Sequence, residues 1–330
     1  MIKHKSELIK ISKKISKLTN KTLFTVVLDV LNCSKKYDIT YKEYLENEFY
    51  LMNDEQKECF ISKAKNLSYV ALYNDYNYKY VFDNRYEFNQ VFKNFINRDY
   101  FLLKENNYNE FIDFLIGKSK IIAKPINKTS KINIEAIRIN AKTDRKKLFD
   151  SLLKKKLVLV EEFLYQTNEL NNLCESCVNS VQITTFLNDN KEVSILNRIF
   201  KIGRGSLLNS LNNGGLYTLL DEDGKILYPA IDSAGKKYNI HPKSKVDFEG
   251  YKLKNIKELE EFVTYIAKEF DEVRYVTWDV TLTSSGPVLI AADYVPRIFN
   301  IKPSIISDFK GLKKKYEKEL EKGEIYERNS

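Results

Sequence analysis

WDVTLTSSGPVLIAAD, residues 278–293, joins two runs of β-branched and apolar residues through Ser284, Ser285 and Gly286. Runs of this composition form strands, and a three-residue connection containing glycine closes them into a hairpin. With Thr283 and Pro287 flanking the loop, antiparallel pairing sets Asp279 opposite Ala291, and Asp293 falls two positions further along on the same face. Two carboxylates on one rigid face suit Mg²⁺, which takes oxygen ligands and draws the rest of its shell from water and nucleotide phosphates. The same spacing also suits two solvated surface aspartates, and the hairpin alone leaves both readings open.

Upstream of the hairpin the pattern continues. VRYVTWDVTL (273–282), LYTLL (216–220), VSILNRIFKI (193–202) and VQITTFL (181–187) read as strands separated by turns such as LNDN and EDGK. One helix, IKELEEFVTYIAKEF at 256–270, interrupts this mostly antiparallel series. Further strands are expected at 157–164, 132–139, 119–125 and 69–72, with a helix at 144–155. The first 70 residues read as helical, with helices at 2–20, 22–35, 40–48 and 53–66, and a charged helix at 307–324 closes the chain. In the first helix Leu8, Ile11, Ile15 and Leu18 form an apolar stripe, with Lys5, Lys10, Lys13, Lys14 and Lys17 largely elsewhere on the wheel. Such a segment packs on the protein's own body or lies on a membrane surface. The element order predicts an α+β architecture rather than a doubly wound sheet, and no GxGxxG or GxxxxGK[ST] phosphate loop occurs. Four regions are expected: 1–70, 71–160, 161–306 and 307–330.

The chain has 330 residues, 43% of them hydrophobic, which is ample for a packed core. No run approaches the roughly 20 apolar residues that span a bilayer, the start lacks an apolar signal-peptide core, and Cys33, Cys59, Cys174 and Cys177 are too scattered to staple the chain. These features predict a cytoplasmic protein without a transmembrane segment. The net charge of +9 is spread thinly with no nucleic-acid recognition motif beside it, so nucleic acid is not expected as a partner. Oligomeric state is not legible. The Cys174/Cys177 CxxC lacks further zinc ligands at suitable spacing and reads as a packing pair.

Two more segments carry candidate chemistry. Lys124 ends the apolar run IIAK just before Pro125, so it faces whatever lies at the strand's end. Glu161 and Glu162 interrupt the apolar strand LVLVEEFL, where carboxylates can reach a nucleoside. Read singly, each also suits a snorkelling lysine and a solvated pair.

In order along the chain, the pieces FDNRYEFNQVF (82–92), AKP (123–125), VEEFLYQ (160–166), CVNSVQITTF (177–186), RIFKIGRGS (198–206), NNGGLY (212–217), HP (241–242) and the hairpin resemble the ATP-grasp superfamily, most closely its sugar-transfer-associated proteins of polysaccharide assembly. The resemblance covers residues 80 to 300. It implies two α+β subdomains sandwiching a nucleotide cleft, with ATP and Mg²⁺ as cofactors. It also implies an amide-forming ligase that joins a small-molecule carboxylate to an amine through an acyl phosphate, in the setting of cell-surface polysaccharide. By resemblance, Lys124 and Arg85 meet the phosphates, Glu161 and Glu162 form the hinge at the adenine and ribose, and Asp279 and Asp293 hold the metal. Lys201 and Arg204 are the catalytic cations, Lys201 steadying the transferring phosphoryl group and Arg204 at the acceptor end, and Asn179, Asn213, Gly214, Gly215 and His241 shape the substrate end.

The chain departs from the family pattern at several positions. Arginine replaces lysine at Arg85. Ala291 and Asp293 stand where a glutamate and an asparagine are usual. Gln182 and Lys201 replace arginines, and Asn209 and Ser210 replace an aspartate-asparagine pair. The flap KPINKTSKINIEA contains no glycine, so fewer backbone amides approach a phosphate closely. These departures carry the alternative, a scaffold that binds nucleotide or a partner without catalysis.

Overall fold

The computed structural model of the protein describes residues 2–205 and 214–321. The chain begins with the helices α1 (Ile2–Thr19), α2 (Leu23–Tyr37), α3 (Tyr41–Glu46), α4 (Asp54–Glu58) and α5 (Lys63–Tyr73). Their starts are written locally. Thr22, Thr40, Asn53 and Ser62 each accept a backbone N–H from the first turn that follows, and Thr40 and Asn53 complete reciprocal capping boxes with Glu43 and Gln56.

Two expectations fail here. The helix read over 53–66 is broken, because Cys59, Phe60 and Ile61 are buried between α4 and α5 and Ser62 restarts the helix as a new N-cap. The strand read at 69–72 is instead the last turns of α5, whose inward stripe is Asn66, Tyr69 and Val70. The polar member hid the helical period: Asn66 is buried because its amide donates to the Pro296 carbonyl and accepts from the Tyr275 hydroxyl.

Short helices α6 (Lys79–Asp83), α7 (Arg85–Val91) and α8 (Lys93–Ile96) lead to the first sheet. It is built from β1 (Tyr100–Leu102), β2 (Lys120–Lys124), β3 (Glu135–Arg138) and β4 (Leu159–Glu162), with α9 (Tyr108–Phe114) and α10 (Arg145–Lys154) between them. The strand order is β1-β4-β2-β3, every pair antiparallel. Ile121, Ala123 and Val160 pack against Phe111, Phe149 and Leu152, so the helices cover one face only.

After α11 (Asn168–Leu173) come β5 (Ser180–Leu187), β6 (Val193–Ile202), β7 (Leu216–Leu219), β8 (Ala230–Ile231) and β9 (Lys237–Tyr238). Helix α12 (Ile256–Glu269), strands β10 (Tyr275–Thr283) and β11 (Gly286–Asp293), and helix α13 (Lys313–Leu320) complete the chain. Helix α13 starts later than the expected 307, since the chain before it runs in turns and Lys313 N donates to the Cys59 carbonyl.

The second sheet is antiparallel in the order β11-β10-β5-β6-β7-β8-β9. On one face Val181, Ile183, Phe200, Trp278 and Val280 pack against the apolar stripe Ile256, Leu259, Val263 and Ile266 of α12. The other face turns toward the first sheet, and the open faces of the two sheets bound a cleft. Among the described residues no helix is long and apolar enough to cross a membrane.

Candidate functional site

Period-two alternation decides which side chains enter the cleft. In β2, Ile121 and Ala123 go to the core, which sends Ile122 and Lys124 the other way. Ile122 pairs with Glu161 of β4, so Glu161 shares their face. In the second sheet Asp279 pairs with Ala291 on one side and Gln182 on the other, while Ser180 pairs with Lys201 and Lys201 with Tyr217. Asp293 lies opposite Thr277, two residues from Asp279 and on its face.

The resulting cleft has a volume of about 490 Å³. Arg85, Lys124, Glu161, Glu162, Lys201 and Asp279 line it, together with Arg98, Lys128 and the apolar residues Ile122, Phe163 and Ile290. Its charged wall is five cations against three carboxylates. A second cleft of about 380 Å³ adjoins it, sharing Arg85, Lys128, Lys201 and Asp279 and adding Asp293, Gln182, Tyr217, Arg297 and Phe299.

Glu161 is only 3% exposed and is fully engaged. It accepts from Asn89 Nδ2 at 2.9 Å, Arg98 Nε at 2.9 Å and Lys124 Nζ at 2.5 Å. Burial works against its charge, yet Arg98 and Lys124 outweigh burial and hold the carboxyl at about 2. Burial also makes Lys124 easier to deprotonate than a free lysine, against the pull of Glu161. The short contact with a strongly acidic carboxylate favours the charged pair. Arg98 reaches further: its Nη1 and Nη2 donate to the carbonyls of Leu289 and Ile290 in β11, tying the two sheets together beside the cleft.

The glycine-free segment after Pro125 is pinned. Arg85 Nη1 donates to the carbonyls of Pro125 at 2.8 Å and Asn127 at 2.9 Å, and Lys128 N donates to the Asp83 carbonyl. Lys128 Nζ then crosses to Asp293 Oδ1 at 2.5 Å. Burial raises the Asp293 carboxyl and Lys128 and Arg297 lower it, with a net shift below the usual range.

Asp279 is the residue with spare capacity. Its Oδ2 accepts from Lys201 Nζ at 2.6 Å, whereas its Oδ1 is buried with no hydrogen-bond partner. An orphaned carboxylate oxygen in a cleft fits a cation. Among the described residues no cluster of three or more His, Cys, Asp or Glu side chains is placed to hold a metal by itself. The fit is therefore to an ion that keeps most of its ligands as water and phosphate oxygens, as Mg²⁺ does. Asp279 and Asp293 would hold it, and the methyl of Ala291 contributes nothing.

The remaining expected site residues lie elsewhere. Asn179 is buried: its Oδ1 accepts from Gly203 N at 2.9 Å, and its Nδ2 donates to the Leu170 and Cys174 carbonyls. His241 is buried too. Ser244 N–H donates to its Nδ1, which leaves the ring hydrogen on Nε2 to donate to the Gly203 carbonyl at 2.7 Å. Together they clamp the Gly203 peptide, two residues beyond Lys201. Arg204 points to Asp232 at 3.3 Å and to the Tyr238 hydroxyl, with Gly214 against its guanidinium and Gly215 buried next to it. Asn213 lies outside the described residues, as do Asn209 and Ser210. Cys174 and Cys177 are free thiols with Sγ atoms 3.5 Å apart, against Gly203.

Asn89, Arg98 and Lys128 were not legible as site residues. Lys128 follows the KP pair and Asn89 lies within FDNRYEFNQVF, whereas Arg98 falls in no expected element or quoted piece.

A family model described as sugar-transfer associated ATP-grasp matches residues 64–301. No curated protein matches the chain. Among solved structures, it is similar to D-alanine-D-alanine ligase from Helicobacter pylori, at 15% identity and a TM-score of 0.42, over 73% of this chain and 60% of that one. It is similar as well to the ATP-grasp ligase PsnB complexed with a phosphomimetic minimal precursor, Mg and ADP, at 9% identity and a TM-score of 0.40, over 71% of this chain and 56% of that one. A third is N5-carboxyaminoimidazole ribonucleotide synthetase from Thermotoga maritima, at 10% identity and a TM-score of 0.35, over 66% and 43%. The chain thus spans 60% or less of the length of these three proteins.

Proposed function

The chain belongs to the sugar-transfer associated ATP-grasp family, and on that premise we propose that it is an ATP- and Mg²⁺-dependent ligase joining a small-molecule carboxylate to an amine. The observation that carries this reading is the cleft itself, where Lys124 of one sheet and Asp279 and Lys201 of the other line a single cation-rich cavity. Phosphoryl transfer asks a protein for positioning and for positive charge around the moving group. Lys124 supplies that charge from the first sheet, Arg85 from the start of α7, and Lys201 from the second sheet. Magnesium, when bound at Asp279 and Asp293, neutralises phosphate charge. The substrate carboxylate oxygen attacks the γ-phosphorus, the bond to the β,γ-bridging oxygen breaks, and ADP leaves. An amine then displaces phosphate from the acyl phosphate, losing its proton, to give the amide. Lys201, held by Asp279, would turn to the transferring group and steady its charge, with Asp279 left to the ion. The family's description as sugar-transfer associated supports a setting in sugar-transfer chemistry, and cell-surface polysaccharide is the setting we propose.

A specific observation favours a second reading, nucleotide binding without turnover. Both carboxylates already carry lysine partners, Lys201 on Asp279 and Lys128 on Asp293, and Ala291 offers no ligand. Measuring ADP and phosphate release while metabolite fractions containing carboxylates and amines are supplied separates the two. The ligase reading expects ADP formation that needs both substrates and disappears in Lys201→Met. Nucleotide binding with no ADP formed over any fraction would overturn it in favour of the scaffold.

A further inference from the structure

We propose that the helical hairpin α1–α2 is a docking surface for an anionic lipid bilayer. The inference is independent of the nucleotide cleft, since no residue of α1 or α2 lines either cavity. Helix α2 is apolar on two opposite sides. Val26, Val30 and Cys33 pack inward with Ile11 and Ile15 of α1 in the core of the N-terminal region. Diametrically outward, at helical spacing, stand Phe24, Leu28 and Leu31, exposed by 72%, 44% and 39%. Leu18 near the end of α1 is 59% exposed as well. A contiguous run of large exposed apolar side chains marks an interaction surface, in contrast to single scattered ones.

The charge on the outer side of the partner helix says what covers the hairpin. Lys10, Lys13, Lys14 and Lys17 are exposed on the outer side of α1, and Lys21 is exposed in the turn. None of these five makes a salt bridge with a described residue. Apolar residues flanked by free lysines match the acyl-headgroup boundary of a membrane carrying anionic lipid, where the apolar atoms leave water and the ammonium groups stay at the phosphates. A second copy fits worse. A two-fold interface through the same ridge would bring both lysine sets to one rim and repel. The ridge is also raised, with Phe24 almost three-quarters exposed, a shape suited to insertion between headgroups.

The test is flotation of the full chain with vesicles of phosphatidylglycerol and phosphatidylcholine, compared with phosphatidylcholine alone. The chain is expected to float with the anionic vesicles only and to be released by high salt. Phe24→Ser with Leu28→Ser, and separately Lys13→Glu with Lys17→Glu, are each expected to weaken binding by at least about tenfold, at roughly fivefold per basic residue near the surface. Because all four side chains are exposed, unchanged circular dichroism and thermal midpoints are expected for both variants. Failure to float with phosphatidylglycerol vesicles overturns the proposal and leaves an acidic protein as the partner. Equal binding by parent and both variants overturns it too. So does a concentration-dependent dimer in sedimentation velocity that Phe24→Ser with Leu28→Ser abolishes, since the ridge would then belong to a second copy.

Discussion

Replacing Glu161 by glutamine tests the electrostatic construction of the cleft. Glutamine keeps an acceptor for Asn89 Nδ2 and changes little in volume, but it removes the one charge that compensates Arg98 and Lys124. The Arg98 side chain is 2% exposed and that of Lys124 13%, so Arg98 cannot turn to water and Lys124 meets it only at the cleft. Breaking a buried pair by deleting one partner costs about 3–5 kcal/mol. A second route gives the same scale. Glu161 moves from an ordinary value of 4.5 to about 2, and at ~1.36 kcal/mol per unit this is about 3 kcal/mol of stability. The sign follows from the depressed folded-state value. The contribution is present in full above the ordinary carboxylate range and drains away as pH falls toward 2. Urea unfolding of parent and Glu161→Gln at neutral pH should therefore show the variant less stable by about 3 kcal/mol, a midpoint shift of about 1–3 M. The gap should close as the pH is lowered through 4. Equal midpoints at neutral pH, or a gap that does not change with pH, would refute the reasoning.

Asp279→Asn should remove the magnesium dependence of nucleotide binding while leaving a metal-independent remainder, measured by titration in magnesium and in chelator; an unaltered dependence would move the ion elsewhere. Gly203→Ala would set a Cβ 1.8 Å from Cys177 Sγ, so a loss of about 1–3 kcal/mol is expected in thermal or urea unfolding. Asn179→Ala leaves the Gly203 N–H buried without an acceptor and should cost about 1–3 kcal/mol, together with weaker activity through displacement of Lys201. Cys174 is lowered to about 5, first by the hydrogen bond from Cys177, whose own thiol is pushed up by the same contact, so the pair sheds one proton easily and the second with difficulty. Alkylation with iodoacetamide followed by mass spectrometry at neutral pH should find Cys174 modified ahead of Cys33, whose thiol is raised to about 11, chiefly by burial.

The hairpin was legible because its information is local. The structure closes the hairpin on two residues, with Thr283 opposite Gly286, where the sequence reading expects three, and a β-bulge between Asp279 and Val280 restores the pairing of Asp279 with Ala291. Lys124 was legible for the same reason, since IIAKP states both the alternation and the stop. What escaped the sequence depends on contacts between distant segments. The partners of Glu161 come from residues 89, 98 and 124, so its direction into the cleft wall cannot be read from LVLVEEFL. Lys128 finds Asp293 across 165 positions. Asn179 and His241 sit inside motif-like stretches, and their geometry makes them clamps on Gly203 rather than walls of the cleft. The 69–72 segment was misread because β-branched and aromatic side chains suggest a strand, whereas burial of Asn66 and Tyr69 against the second sheet imposes the helix.

Calorimetric titration of ATP with magnesium into the full chain, repeated on Lys124→Met, tests the central claim most directly. The substitution leaves Glu161 paired with Arg98, so the fold is retained while one charge of the proposed phosphate site is lost. The parent should bind, and the variant should bind about 10- to 100-fold more weakly, the scale of a charge-assisted hydrogen bond of about 1.5–3 kcal/mol. A parent that takes up no ATP, or a variant that binds it as tightly, would contradict the account.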